Sequence, residues 1–393
     1  METVKIITLA PHADGSVEWP LLDKEKRSVV TIGSFDGVHK GHQAIISRVA
    51  DLARQQGSFS VIIMFDPRPS YVHAREKARI AGQGQDSTAS RDDQALSSVS
   101  QRCEWIEGMG VDYLIIVTYT LPFANQTYVN FLGQLVGKLG MRTLVLGHDA
   151  RLGRGLAGDM KAMKNLASAT GVFEVESVDD QGQEDVWIPQ KIVYEVPQGH
   201  GEPADPLEGM TKSERRAWTK KHGMKRARRW SSSFVRYALS TGRMGDAASV
   251  LSRFPQIRGL VVHGEQRGRT LGYPTANLGG LIEGFIPVDG VYAGFVTDQD
   301  DSNPHRIPAA ISIGTKETFV DEIGQEHLKR VVESYLVDQD GIDIYNHHIK
   351  VEFGLYMRPQ VRFKDAQALV DQLKNDEKET RTWAESYLSQ KAA

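Results

Sequence analysis

The sequence predicts two folded units in series: an α/β domain built on a parallel sheet, then a small β-barrel followed by a helical tail. Three observations carry that reading. At 393 residues the chain exceeds the length at which one hydrophobic core keeps growing. Through its first half, apolar runs rich in β-branched residues alternate with helix-length amphipathic segments, the pattern of strands covered by helices. From Gln256 onward the pattern changes to short alternating strands separated by Gly, Pro and Asp turns.

In chain order, the apolar runs place strands at Val4 to Leu9, Ser28 to Ile32, Ser60 to Phe65, Tyr113 to Val117 and Thr143 to Leu146. Helices are expected at His42 to Gln55, Ser97 to Gly108, Thr127 to Leu139 and Met160 to Thr170. Ala81 to Leu96, rich in Gly, Gln, Ser and Asp without periodicity, reads as a flexible loop. Pro197 to Pro206 reads as a connector, and a basic stretch follows from Lys212 to Arg229. The barrel strands are expected at Gly259 to His263, Gly290 to Thr297, Ala309 to Gly314, Val331 to Val337 and His348 to Tyr356, with a helix from Lys364 to Lys391.

Composition narrows the function classes. A hydrophobic content of 40% suffices for two cores, and a formal charge of -3 gives no overall pull toward nucleic acid or an anionic membrane. Small-molecule partners are expected. Cys103 is the single cysteine, so neither an intramolecular disulfide nor a cysteine zinc site can form, which fits a reducing cytoplasm. Val4 to Ala10 is too short for a signal segment, and no apolar run reaches membrane-spanning length. A cytoplasmic protein is expected.

Two segments carry phosphate chemistry. The first, Gly33-Ser-Phe-Asp-Gly-Val-His-Lys-Gly-His42, follows an apolar strand and leads into a helical pattern. Its glycines allow a sharp turn, and an anion would sit at the helix N-terminus beside His39 and His42. A plain Gly-rich turn and a two-histidine metal fragment are the competing readings. The second, Gly268-Arg-Thr-Leu-Gly-Tyr-Pro-Thr-Ala-Asn277, joins a glycine loop to a strand. Residues two apart on a strand face one side, so the Thr275 hydroxyl and the Asn277 amide can reach one ligand. Such hard oxygen groups suit Mg2+, which shares its shell with water and phosphate. An ordinary hairpin turn is the alternative.

The first segment resembles the His-x-Gly-His signature of the nucleotidyltransferase superfamily. With Phe35-Asp36-Gly37-Val38 it resembles the prokaryotic bifunctional riboflavin kinase and FAD synthetase family. Phe65-Asp-Pro-Arg-Pro69 is similar to that family's Phe-Asp-Pro-His-Pro, and Ser231-Ser-Ser-Phe-Val-Arg236 to its Ser-Ser-Thr-x-x-Arg. The second segment is similar to the riboflavin kinase motif throughout. Pro287-Val-Asp-Gly-Val-Tyr292, Ile313-Gly-Thr-Lys-Glu-Thr-Phe319 and Val332-Glu-Ser-Tyr-Leu-Val-Asp338 resemble the motifs that follow it, with Glu317 in place of a usual proline.

The resemblance implies an α/β Rossmann-like nucleotidyltransferase domain at 1–254, with an unmatched insertion near 193–228. An antiparallel β-barrel riboflavin kinase domain with C-terminal helices would follow at 255–393. It implies two ATP-dependent reactions, riboflavin to FMN and FMN to FAD with release of pyrophosphate. By motif position Glu333 is the base that takes the ribityl hydroxyl proton. His39 and His42 serve adenylyl transfer, which needs no base because a phosphate is already an anion. Gly33, Phe35, Asp36, Gly41, Arg229, Ser232, Ser233 and Arg236 would hold ATP for the adenylyl step; the serines also suit a helix N-cap. Gly268, Gly272, Thr275 and Asn277 would hold ATP for the kinase step, the last two also binding Mg2+. Asp149 would face flavin, and Arg358 and Arg362 would line the flavin pocket or be structural.

Two departures from the pattern stand out. Gly147-His-Asp-Ala-Arg-Leu-Gly153 has Ala150 and Leu152 where the family commonly has aromatics, so flavin or adenine contacts there are expected to differ. This motivates one alternative, a monofunctional riboflavin kinase with an altered N-terminal module. The basic stretch motivates another, a flavin-responsive regulator that binds nucleic acid. A solvated basic helix is the favoured reading of that stretch, no membrane partner is expected, and an oligomer is left open.

Overall fold

The computed structural model describes residues 3–23, 25–82, 92–179, 185–264, 273–320, 326–339 and 343–392, with backbone alone at 316–320, 326–329 and 392. It divides into two compact units, Met1–Gln183 and Glu184–Ala393. Most of the expected loop at Ala81 to Leu96 lies outside the described residues.

In the first unit, six parallel strands, β1 (Lys5–Leu9), β2 (Ser28–Gly33), β3 (Phe59–Asp66), β4 (Tyr113–Thr118), β5 (Met141–Gly147) and β6 (Glu174–Val178), lie in the order β1-β4-β3-β2-β5-β6. The runs of the inner strands β2 to β5 are mostly apolar because both faces are covered, whereas the edge strands β1 and β6 are exposed or half-buried. Val61, Ile63 and Phe65 of β3 enter one core with Phe131, Leu132 and Leu135 of α5 (Tyr128–Leu139) and Met163 of α6 (Met160–Thr170). The alternate residues Ile62 and Met64 enter the other core with Ile46, Val49 and Ala50 of α1 (Lys40–Gln56). Helices α2 (Pro69–Ile80), α3 (Val99–Glu107) and the single turn α4 (Leu121–Ala124) complete the unit. Helix α1 starts two residues before the expected His42, which makes His39 its N-cap.

The second unit centres on a closed antiparallel barrel in the order β10-β13-β12-β11-β14-β9. Its strands are β9 (Gln256–Val262), β10 (Thr275–Glu283), β11 (Gly290–Asp298), β12 (Ile307–Val320), β13 (Glu326–Leu336) and β14 (His348–Arg358). Before it come a hairpin of β7 (Asp185–Pro189) with β8 (Met224–Arg228), then α7 (Lys212–His222) inside that hairpin, and α8 (Ser232–Ser240) and α9 (Met244–Leu251) after it. The expected division near residue 254 marks the change of sequence pattern, whereas the compact units divide at 183/184. The physical reason is packing: α9 lies on β14, and residues 195–205 bond to α8, α9 and β14 together. Glu195 N donates to Ser240 O (3.1 Å), the Tyr356 hydroxyl donates to Pro197 O (2.9 Å), and Gly201 N donates to Met357 O (2.7 Å). Asp205 accepts from the Tyr237 hydroxyl (2.6 Å) and pairs with Arg243 (3.0 Å).

Helix α10 (Ala366–Ala392) closes the outer side of the barrel through Trp383 and Tyr387, whose rings meet Phe254 and Phe295. Gly354 of β14 sits directly beneath the Trp383 indole, with no room for a Cβ. Gly354→Ala is expected to cost about 1–3 kcal/mol by overpacking, read from urea unfolding. Trp383→Phe in the same chain should recover part of that loss, and strictly additive losses would count against the contact.

Candidate active sites

The strand order of the first unit reverses between β2 and β5, and open α/β sheets bind ligands outside the strand ends at such a point. Pairing of β2 with β5 stops at Val30 and Leu144, although the strands run on to Gly33 and Gly147, so a crevice opens there. Both motif turns leave from its edges. The first, Ser34 to His39, holds Phe35 (φ 47°), Gly37 (φ 77°) and Val38 (φ 40°) in the left-handed region. Such positions are costly for non-glycine residues and persist where surroundings over-determine them. Here Phe35 and Val38 are fully buried in the α1 core.

Three further groups brace this turn. Arg102, buried on α3, donates to Ser34 O (2.8 Å) and Phe65 O (3.0 Å) and pairs with Asp66 (2.9 Å), tying the ends of β2 and β3 together. The Asp36 carboxylate accepts from Leu96 N (2.9 Å) and faces Arg68 (3.6 Å). Arg68 is itself held by Asp92 in a bidentate pair at 2.7 and 2.6 Å. Ser97 accepts from Gly37 N (2.9 Å). At the start of α1 the His39 and His42 rings stack at 3.6 Å, with the Phe35 ring edge-on to His42 at 5.3 Å. No acidic side chain stands in the first turn of α1, where a helix favours an anion.

Across the crevice, Gly147 lies close to both Asp149 and Ile45 of α1, which brings the β5 turn to the same helix. Asp149 is exposed there. Ala150 and Leu152 turn toward the core and pack against the α5 side. The aromatic at this place is Tyr128, whose backbone and ring leave space only for glycine at 153 and 158.

The serine run forms the start of α8, in the second unit. Ser231 is the N-cap, accepting from Phe234 N (3.1 Å), which leaves Ser232 and Ser233 as the first helical residues. Arg236 is buried on the same helix, and Arg229 pairs with Asp246 (3.3 Å). Burial first, and then the charge of Arg236, hold the Lys225 ammonium of β8 below its usual range.

On the barrel, antiparallel register sets Asn277 of β10 opposite Glu333 of β13, and Glu333 opposite Ser312 of β12. Thr275 is opposite Tyr335, on the same face. The intervening Ala276, Ile311 and Ser334 point into the closed interior and are buried, so the row Asn277, Glu333, Ser312 lies on the outer face. Asn277 Nδ2 donates to Thr275 O and Thr275 Oγ1, both at 3.2 Å, and Gly264 packs against the amide with no space for a side chain. At the barrel mouth where β10 begins, Val296, Ile307, Leu336, Asp298, Ile344 and His347 help line a cavity of about 590 Å³. That is ordinary for a small-molecule site.

Two family models match the chain: FAD synthetase over residues 22–191 and riboflavin kinase over residues 251–384. The chain belongs to the bifunctional riboflavin kinase and FAD synthetase family. It is 27% identical over 372 residues to the bifunctional riboflavin kinase/FMN adenylyltransferase of Listeria monocytogenes, covering 95% of this chain and 96% of that one. To the Escherichia coli K12 protein of the same name it is 28% identical over 350 residues, covering 89% and 90%. A solved structure titled as a macrolide-efflux protein from Streptococcus pneumoniae superposes with a TM-score of 0.68 at 25% identity, over 96% of this chain and 99% of that one.

For a member of this family the structure distributes the expected residues unevenly. Gly33, Phe35, Gly41, His39 and His42 gather at the α1 start, and Thr275, Asn277 and Glu333 gather on one barrel face. Gly268 and Gly272 lie outside the described residues. Asp36, expected at phosphate, is engaged through its carboxylate by Arg68 and Leu96 N, so it braces the turn. Arg358, expected at flavin, is buried and held by Asp376 of α10 at 2.9 and 2.6 Å, which favours its structural reading. Arg362 is exposed just beyond β14. The sequence reading missed Arg102, Arg68, Ser97 and Ser312, because a charged residue on a short helix and a serine on a strand carry no local signal of burial or register.

The cavity rim includes a titrating pair. His347 bonds Asp298 at 2.7 Å, and that hydrogen bond first, then the charges of Asp298, Asp300 and Asp343, raise the imidazole above its usual range. A raised folded value means that the stabilisation is fully present below about pH 6.5 and is lost as pH rises through the folded value. The melting-temperature gap between the parent and His347→Gln should therefore be wider at pH 6 than at pH 9. An equal gap at both would show that the pair does not titrate with folding.

Proposed function

We propose that this chain uses ATP twice, phosphorylating riboflavin to FMN at the β10–β13 face and adenylylating FMN to FAD at the His39–His42 turn. The observation that carries the reading is the register of Asn277, Glu333 and Thr275 on one barrel face.

For the kinase step, the Glu333 carboxylate takes the proton of the ribityl 5′-hydroxyl as its oxygen bonds to the γ-phosphorus and ADP leaves. Thr275 and Asn277 fit a magnesium site: both are neutral oxygen donors, the amide is oriented by its bonds to Thr275, and two protein groups leave room for phosphate oxygens and water. Bound there, Mg2+ would neutralise charge on the transferring phosphates.

For the adenylyl step, an FMN phosphate oxygen bonds to the α-phosphorus of ATP while the α–β bridge breaks and pyrophosphate departs. The nucleophile is already ionised, so the site needs only donors that hold charge on the α-phosphate. His39, His42 and the α1 N-terminus supply them. Ser232, Ser233 and Arg236 are assigned to ATP phosphates on the family motif, and Ser232 and Ser233 stand in the first turn of α8, where a helix favours an anion.

The basic stretch is supported as a solvated surface. Arg226 pairs with Asp185 (2.6 Å), Arg229 with Asp246, and Arg215 donates to Leu207 O (2.7 Å), so several of its cations are engaged within the protein. Among the described residues no helix is long and apolar enough to cross a membrane. A cytoplasmic location is proposed from the cysteine usage.

His42→Ala should abolish FAD formation while leaving FMN formation from riboflavin within about twofold. Glu333→Ala should lower FMN formation by about 100-fold or more and spare FAD formation when FMN is supplied. Chromatographic separation of riboflavin, FMN and FAD reads both. FMN accumulation without FAD or pyrophosphate in the parent protein would leave only the monofunctional kinase.

A further inference from the structure

We propose that Arg68 is a positioning residue for adenylyl transfer: its fixed positive charge holds the buried Asp36 carboxylate, and with it the turn that presents the start of α1 to the ATP phosphates. The role rests on the adenylyl reading above. Arg68 stands at the corner between β3 and α2, at the place where the family's Phe-Asp-Pro-His-Pro string has histidine. Its Nε and Nη2 form the bidentate pair with Asp92 at 2.7 and 2.6 Å, and its Nη1 reaches Ser70 Oγ at 3.3 Å and Asp36 Oδ2 at 3.6 Å. The other carboxylate oxygen of Asp36 accepts from Leu96 N at 2.9 Å and from the Ser97 hydroxyl at 3.4 Å, and Ser97 Oγ in turn accepts from Gly37 N at 2.9 Å. One guanidinium thus joins the β3 corner, the segment before α3 and the motif turn.

Burial gives this clamp its consequence. The Asp36 side chain is 4% exposed and that of Arg68 9%, and a carboxylate so buried keeps its charge only with a partner. Asp36 also lies just before His39, the N-cap of α1, where ATP would bring further negative charge. Without Arg68 it would oppose ATP by repulsion, or take up a proton and weaken its hydrogen bonds to Leu96 N and Ser97. Either change acts on a turn whose Phe35, Gly37 and Val38 all sit in the left-handed region and depend on their surroundings. Asp92 and Asp93 add their charges to that of Asp36 around the same guanidinium, so a neutral group at this corner would leave three carboxylates facing one another. A histidine there is a cation only while protonated, whereas arginine is charged at every working pH. Arg68 touches no reacting atom in this scheme.

The test is FAD formation from supplied FMN and ATP by the full chain carrying Arg68→His, measured from pH 6 to pH 9 and expressed relative to the parent at each pH. The carboxylates of Asp36, Asp92 and Asp93 favour the charged imidazole, so the variant should stay within about threefold of the parent at pH 6. By pH 9 the imidazole is neutral, and the variant should fall about tenfold or more below the parent. Taking the ratio removes every titration that the two proteins share. Arg68→Met has no charge at any pH and should lose about 100-fold in kcat/KM. Asp36→Asn in the same chain should recover about tenfold or more of that loss, because an amide needs no cation. FMN formation from riboflavin, measured on the same samples, should be unchanged in every variant. A ratio for Arg68→His that is equal at pH 6 and pH 9 would overturn the role, as would an Arg68→Met variant of full activity. Should Arg68→Met not fold, the Arg68→His ratio decides alone, since it compares one folded protein with itself across pH. If His42→Ala instead retained FAD formation, the adenylyl reading itself would fall, so the two failures are distinguishable.

Discussion

Everything proposed for the barrel depends on the register between β10 and β13. Side chains alternate along a strand, so a slip of one residue would send Asn277 and Glu333 into the barrel interior and bring Ala276 and Ser334 to the surface. The closed barrel makes that slip costly, because Ala276, Ile311, Val332 and Ile313 would exchange a packed interior for solvent. Hydrophobic burial on one face thus holds the polar row on the other. Arg330 adds a second lock midway along β13, pairing with Asp289 at 2.7 Å and donating to the carbonyls of Ile286 and Pro287.

The first unit solves a different problem by a different device. Its ligand crevice is a gap in strand pairing, and the turn that rims it carries non-glycine residues in the left-handed region. Such a turn has no ladder to hold it. Its geometry is imposed by buried polar groups, Arg102 on the carbonyls of Ser34 and Phe65, and Asp36 between Arg68 and Leu96 N. An ion brought into the interior in this way is tolerable only when fully bonded, and Arg102 and Arg68 each make several charge-assisted contacts.

Legibility in the sequence followed the range of the interaction. The parallel strands were visible because burial on both faces leaves unbroken apolar runs such as Val61 to Phe65. Thr275 and Asn277 were visible because their spacing of two is itself the geometry, whereas the pairing of Glu333 with Ser312 is set by barrel closure and leaves no trace in either local string. Arg358 and Asp36 show the other side of this limit. Both sit in motifs that resemble ligand-binding segments, yet each carries a buried partner far along the chain, Asp376 and Arg68, that only the fold reveals. Tyr128 was missed for the same reason, since it reaches the Gly153 turn from another helix.

The segment that resembled nothing acquires a physical account from its contacts. Of the unmatched segment near 193–228, the last five residues form β8 and the rest lies between the two strands of the β7–β8 hairpin, so it lengthens a loop without disturbing the ladder. The returning chain does not hang free. Tyr194 stacks on Phe285 and lies under the Arg330 guanidinium at 4.9 Å, and the capping box of Thr211 and Glu214 starts α7. Trp218 of α7 donates to Glu195 (2.8 Å), which is bonded through its backbone to α8. The serine helix is therefore fastened to the kinase barrel by a strap that the motif strings alone do not contain. A strap of this kind gives α8 a fixed orientation at the cost of chain entropy, which its hydrogen bonds and aromatic contacts offset. It also explains why packing assigns the serine motif to the barrel unit while the sequence pattern assigns it to the domain before.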